Sequence, residues 1–213
     1  MTNVELPVLQ GPRVRLRMLR PADVAQLYTQ FSDPKVMRYW SRPPLMRIEE
    51  AQTLFEELER GVQTGEFAQW AIARRSDDLM IGSCGLYAHQ AAHRRAELGY
   101  ALAGAYWGQG YASEALRLAL AYAFGVLDLH RLQADIDPRN AASIRLLEPF
   151  GFVREGLLRE RWQVGGEIQD SVIYGLLARD YAAASTTAAS STSAATKSAA
   201  SNRPDAGTDD GAV

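Results

Sequence analysis

A chain of 213 residues, 47% of them hydrophobic, has enough apolar material for one α/β core with some to spare. Its formal net charge of −2 argues against general affinity for nucleic acid, and no uncharged apolar run approaches the length that crosses a bilayer. The single cysteine, Cys84, excludes an internal disulfide, and Met1 to Leu9 lacks the basic start and apolar core of a secretion signal, so a cytoplasmic protein is expected.

Arg13 to Leu19 alternates charge with Val14, Leu16 and Met18, the pattern of a strand with one buried and one wet face. The arginines at 13, 15, 17 and 20 accordingly read as a solvated side rather than a nucleic-acid contact. Pro21 and Asp23 open a helix through about Phe31, and Ser32 to Trp40 reads as an irregular aromatic segment. Ile48 to Gly61 forms a second helix with Leu54, Phe55 and Leu58 on its inner stripe. Phe67 to Ala73 and Leu79 to Tyr87 pair as strands around Ser76-Asp77-Asp78, with Cys84 as a small core residue. His89, His93 and His130 lack helical pairing and a nearby cysteine cluster, so no metal site is predicted. Glu97 to Leu102 is the next strand, Ala112 to Leu127 a helix, and Arg131 to Ile136 a strand. Asn140 then caps a short helix whose Ile144, Leu146 and Leu147 face a core, with Pro149 ending it early. Val153 to Val164 and Ile168 to Leu177 form a hairpin across Gly165-Gly166. From Ala182 the chain is Ala, Ser and Thr with scattered Gly, Asp and Pro, and no large apolar side chain before Val213. Such a segment buries too little surface to offset its ordering entropy, so a domain over 1–181 and a disordered tail over 182–213 are expected.

The most informative stretch joins strand to helix: Tyr106-Trp107-Gly108-Gln109-Gly110-Tyr111-Ala112-Ser113. Two glycines one residue apart remove the Cβ atoms that would keep an oxygen-rich ligand off the backbone, and they leave several N–H groups facing one concavity. That is an anion seat suited to a pyrophosphate. A P-loop would need Lys and Ser or Thr after Gly110, where Tyr111 and Ala112 stand. A dinucleotide fingerprint would need glycine or alanine at Ser113, with Asp135 the nearest downstream strand-end acid, which leaves a nucleotide-dependent oxidoreductase as the weaker rival.

The same loop resembles that of the GNAT acetyltransferases, whose coenzyme A motif is Gln/Arg-x-x-Gly-x-Gly/Ala. Gly110-Tyr111-Ala112 matches its second half, and Trp107 departs from its first position. The run from Tyr106 to Ala115 looks like the branch that includes the ribosomal-protein N-terminal acetyltransferases. Asn140-x-x-Ser143, followed by Leu146-Leu147-Glu148 and Gly151-Phe152, is similar to the family's second coenzyme-binding motif, with Leu147 where many members carry a tyrosine acid. The resemblance covers roughly residues 8 to 181. It implies an α/β fold of α+β type, with a mixed, mostly antiparallel central sheet flanked by helices. It also implies acetyl-CoA as co-substrate, and an amine acceptor that is either a protein N-terminus or a small molecule. The backbone N–H near Leu102 would bind the thioester or pantetheine, and Trp107, Gly108, Gln109, Gly110, Tyr111, Ala112, Ser113 and Asn140 would hold the coenzyme. A monomer or homodimer is expected, with neither nucleic acid nor membrane as partner.

Acetyl transfer to an amine needs the nucleophile deprotonated, the carbonyl polarised and the leaving thiolate stabilised. Glu97 is the candidate base, being the one carboxylate inside an otherwise apolar strand just upstream of the phosphate loop. Glu160, flanked by Arg159 and Arg161, ranks second because such a carboxylate more often belongs to a solvated face. Ser143 falls where the ribosomal-protein branch is expected to place a serine near the coenzyme sulfur, and its hydroxyl can donate to a developing thiolate. The competing reading is a coenzyme-binding regulatory module without a poised base.

Overall fold

The computed structural model describes residues 5–184. It holds an eight-stranded sheet in the order β1-β2-β3-β4-β5-β6-β8-β7. The strands are β1 (Leu9–Gln10), β2 (Val14–Arg17), β3 (Ala68–Arg74), β4 (Met80–Gln90), β5 (Arg95–Leu102), β6 (Arg131–Ile136), β7 (Val153–Val164) and β8 (Glu167–Leu177). Among the described residues β5 and β6 are the parallel pair, and the other neighbours run antiparallel. Helices α1 (Val24–Ser32), α2 (Pro34–Met37) and α3 (Ile48–Thr64) follow β2; α4 (Tyr111–Gly125) follows β5, α5 (Ala141–Leu147) follows β6, and α6 (178–184) follows β8.

Strand β3 is buried on both faces, which is why it reads as a near-continuous apolar run rather than an alternating one. Trp70 and Ile72 of β3 point into one core with Leu116 and Leu120 of α4, whereas Ala71 between them joins Leu27, Phe31 and Phe55 of α1 and α3. Successive side chains of a strand alternate faces, so one strand serves two helical layers. Pro149 does end α5 early: the helix stops at Leu147 and gives way to a 3₁₀ turn over Glu148–Phe150.

Two expectations are corrected. The arginines of β2 are not a wet face: Arg17 is 3% exposed, with its guanidinium forked onto Asp23 at 2.7 and 2.9 Å and its Nε on Asp78 at 3.1 Å. Arg15 and Arg20 also pair with Asp78, because the β3–β4 turn folds this carboxylate back against β2. Within the aromatic segment after α1, Asp33 caps the one-turn helix α2 by accepting from the Lys35 N–H at 2.8 Å. The boundary expected at 181 lies inside α6, whose Tyr181 stacks on Phe124 of α4 at 5.0 Å; residues 185–213 of the expected tail lie outside the described residues. Among the described residues no helix is long and apolar enough to cross a membrane.

The feature that positions the site is a divergence in the middle of the sheet. β5 and β6 pair only at Arg95 with Arg131, Ala96 with Leu132 and Glu97 with Gln133. Beyond that point β5 stays with β4 as far as Leu102, and β6 stays with β8 as far as Ile136.

Candidate active site

The glycine loop between β5 and α4 presents a concave run of backbone N–H groups. Gly108 and Gly110 both take left-handed backbone, at φ +72° and +79°, a conformation that L side chains rarely adopt. Gly110 is the N-cap of α4 without a side-chain cap, and the first intrahelical bond runs from Glu114 N–H to the Gly110 carbonyl at 3.1 Å. The N–H groups of Tyr111, Ala112 and Ser113 therefore have no acceptor inside the helix and face its positive end. This donor set suits a pyrophosphate, and a Cβ at Gly108 would meet nothing within 4 Å, leaving room for close approach.

Side chains around the loop hold its shape. Trp107 Nε1 donates to the Leu102 carbonyl at 2.9 Å and Gln109 Nε2 to the Ala105 carbonyl at 2.9 Å, so both side chains expected to meet the coenzyme bind the loop's own backbone. Arg13 Nη1 donates to the Gln109 carbonyl at 2.9 Å. The buried Glu114 carboxylate accepts from the backbone N–H of Arg13 at 2.6 Å and of Val14 at 2.8 Å, and from Arg13 Nε at 2.9 Å. Burial pushes this carboxyl's pKa up, but the two N–H donors and the guanidinium outweigh it and hold the group below the usual carboxylate range.

Two cavities meet in the gap between β5 and β6. The larger, about 770 Å³, runs from the loop to α5 and is lined by Leu102, Trp107, Gly108, Gly110, Tyr111, Ala112, Ser113, Asn140 and Ser143. Of the residues expected at the coenzyme, Gln109 is the one outside this lining. The smaller cavity, about 310 Å³, holds Glu97, and Asn140, Ser143, Tyr100, Tyr39 and Trp40 belong to both. Glu160 lines neither; its backbone N–H donates to Asp170 at 2.8 Å on the exposed edge strand β7.

Ladder geometry explains what the gap exposes. Ala103 N–H donates to the Ile81 carbonyl at 2.9 Å, on the β4 side. By alternation the N–H and carbonyl of Leu102 face the other way, toward the edge that β6 has left. Trp107 takes the carbonyl, and the N–H is aimed into the gap. On the β6 side Asn140 Oδ1 accepts the Ser143 N–H at 3.1 Å, so the expected N-cap is present and sets the first turn of α5. Glu97 is half-buried and accepts from Gln133 Nε2 at 2.8 Å. Leu147, at the place of the family's tyrosine, is fully buried in the core.

Several lining residues escaped the sequence reading. Tyr100 Oη lies 2.5 Å from Ser143 Oγ, and burial pushes its phenol pKa above the ordinary value, more than the Ser143 hydrogen bond lowers it. Tyr100 is three residues from Glu97, so the period of two puts them on opposite faces of β5; both reach one cavity because that cavity passes through the divergence. Tyr39 and Trp40 come from the aromatic segment that follows α1. Asp135 accepts from the Ser171 hydroxyl and sits 3.6 Å from Arg161 Nε. Among the described residues β5 and β6 are the one parallel pair, where a dinucleotide fold needs a parallel sheet, which removes the oxidoreductase alternative. Cys84 is buried, its thiol pKa pushed up to about 12 by desolvation, as a core residue should be. Among the described residues no group of three or more His, Cys, Asp or Glu could hold a metal ion.

Comparison with known proteins agrees with this architecture. Residues 13–153 match the acetyltransferase (GNAT) domain family. An uncharacterised N-acetyltransferase of Bacillus licheniformis is 33% identical over 177 residues, covering 83% of this chain and 99% of the relative. Spermidine N(1)-acetyltransferase of Escherichia coli is 27% identical over 82% of this chain and 91% of its own length. The structure of spermidine N-acetyltransferase from Vibrio cholerae in complex with CoA and spermine superposes with a TM-score of 0.71 at 25% identity, covering 80% of this chain and 99% of that one. The glycine loop, the divergent strands and these matches together make the chain a member of the GNAT acetyltransferase family, an enzyme that uses acetyl-CoA to acetylate an amine.

Proposed function

We propose that the enzyme transfers the acetyl group directly to a primary amine in a ternary complex, with Glu97 as base and Ser143 stabilising the departing sulfur. The observation that carries this reading is the junction of the two cavities: Ser143 and Asn140 stand on their shared wall, and Glu97 stands on the smaller side only. The N–H groups of Tyr111, Ala112 and Ser113 bind the pyrophosphate, and the Leu102 N–H orients the thioester end. Glu97 takes the amine proton directly or through water as the nitrogen attacks, and Ser143 Oγ donates a hydrogen bond to the sulfur as the C–S electron pair settles there.

The acceptor in this reading is an amine that arrives as an ammonium ion and gives its first proton to solvent water; the neutral amine then attacks, and Glu97 takes the second proton. Glu97, Asp135, Asp137 and Asp170 line the smaller cavity against Arg161, and Asp137 is neutralised by Arg139 at 2.6 Å. That surplus of carboxylate favours a small polar amine, in keeping with the spermidine acetyltransferases among the relatives. The motif from Tyr106 to Ala115, similar to the ribosomal-protein branch, keeps a protein N-terminus as the second acceptor. We assign transfer to the domain that carries these cavities and no part in it to the Ala-, Ser- and Thr-rich segment expected from Ala182 onward.

The test is Glu97→Gln assayed with spermidine, simple primary amines and N-terminal peptides. Turnover is expected to fall by roughly 10²-fold or more with coenzyme affinity near the parent value. Near-parent turnover would move the base elsewhere, with Asp135 on the same wall as the next candidate.

A further inference from the structure

Ser143 is tied on two sides. Its backbone N–H is held by Asn140 Oδ1, and its hydroxyl lies 2.5 Å from Tyr100 Oη. The phenol has one hydrogen to give, and its second acceptor within reach, at 3.5 Å, is the Ser143 carbonyl. Both acceptors belong to the same residue, so donation by Tyr100 satisfies the phenol and leaves the Ser143 hydrogen to point elsewhere. Both residues line the two cavities at their junction, so that direction is open space at the reacting end.

Resting on the transfer reading above, we propose that Tyr100 is a positioning residue: it donates its O–H to Ser143 Oγ and thereby aims the Ser143 hydrogen at the sulfur that becomes a thiolate. A hydrogen-bonded donor is a stronger donor, since the two bonds of such a chain polarise each other.

Hydrogen-bond donation, not proton transfer, is the role the chemistry allows. An ordinary thiol has a pKa of about 8.5 and an ordinary tyrosine about 10, and burial raises the Tyr100 phenol further. Of the two groups the phenol is the weaker acid, so in this reading Tyr100 keeps its proton and acts through the hydrogen bond. In the step as written, the N–C bond forms, the C–S bond breaks, the electron pair goes to sulfur and the amine proton goes to Glu97. The thiolate departs unprotonated, held by Ser143, and gains its proton from water afterwards. The family's tyrosine position holds the buried Leu147, so no phenol reaches the sulfur from α5 by that route.

The experiment compares Tyr100→Phe, Ser143→Ala, the double variant and Glu97→Gln in the full chain, with acetyl-CoA and one accepted amine, alongside melting temperatures. Tyr100→Phe should lower kcat by about three- to thirty-fold with both KM values within two-fold, because only a hydrogen bond to a charged group is weakened. The double variant should be no slower than Ser143→Ala, since the phenol acts through that hydroxyl. The pH–kcat profile of Tyr100→Phe should keep the parent's shape. Multiplying effects in the double variant, an alkaline limb lost with the phenol, or unchanged kcat in Tyr100→Phe would each overturn the proposal. If Glu97→Gln alone retains parent turnover while the Tyr100 and Ser143 effects fail to multiply, the base assignment falls and this one stands.

Discussion

Glu114 is the clamp between α4 and β2, and its removal tests whether the glycine loop is held from outside. Glu114→Ala strips the acceptor from two backbone N–H groups, those of Arg13 and the buried Val14, and from Arg13 Nε. Each buried donor left without a partner costs about 1–3 kcal/mol. The ion pair adds little, since the Arg13 side chain is 52% exposed and such pairs are worth under about 1 kcal/mol. The sum is about 2–7 kcal/mol, which in a domain of this size lowers the melting temperature by roughly 4–28 °C. Glu114→Gln keeps one oxygen for both N–H groups, so its loss is about 1–2 kcal/mol. The carboxyl's native pKa is depressed, so its contribution is fully present above the unfolded-state value of about 4.3 and disappears as pH falls through the lower native value. The gap between parent and Glu114→Gln should therefore narrow in acid. Thermal melts by circular dichroism from neutral pH down to about pH 3, with coenzyme calorimetry at neutral pH, provide the measurement. A Glu114→Ala variant melting within about 2 °C of the parent would refute the reasoning, because two orphaned donors cannot be that cheap.

Gly110→Val puts a β-branched side chain at φ +79°, with its Cβ 3.2 Å from Arg13 Nη2, and should weaken coenzyme binding at least ten-fold, whereas the uncrowded Gly108→Ala isolates the backbone strain; parent affinity in Gly110→Val, by calorimetry, would sink the loop assignment. Ending the chain after residue 184 is expected to leave melting temperature, coenzyme affinity and turnover unchanged, while ending it at Asp180 removes the Tyr181 ring from Phe124 and should cost about 1–2 kcal/mol. A drop in acceptor affinity on the first truncation would bring the C-terminal segment into the substrate site.

Local signals were legible where one stretch of chain decides its own conformation. β6 spans Arg131–Ile136 as the alternation predicts, and the hairpin of β7 and β8 turns at Gly165-Gly166. The cap of α5 and its early stop follow from Asn140 and Pro149 alone, because both act through backbone groups within a turn of themselves. Misreadings fell where a distant segment supplies the partner. Arg17 alternates like a wet residue, and only the return of the β3–β4 turn and the start of α1 bring Asp78 and Asp23 to it.

The chain's order thus determined the glycine loop, the helix behind it and the two motifs that carry the family resemblance, since an anion seat needs only consecutive residues with the right backbone freedom. Tertiary structure alone decided where the chemistry converges. Pairing between β5 and β6 stops after Glu97 and Gln133, a non-local event no window of residues records. The gap that follows lets Glu97 and Tyr100, consigned by strand parity to opposite faces, share one cavity with Ser143 from a third element. A strand's period assigns a side chain to a face of the sheet, and only where neighbouring strands part can a ligand reach both faces at once.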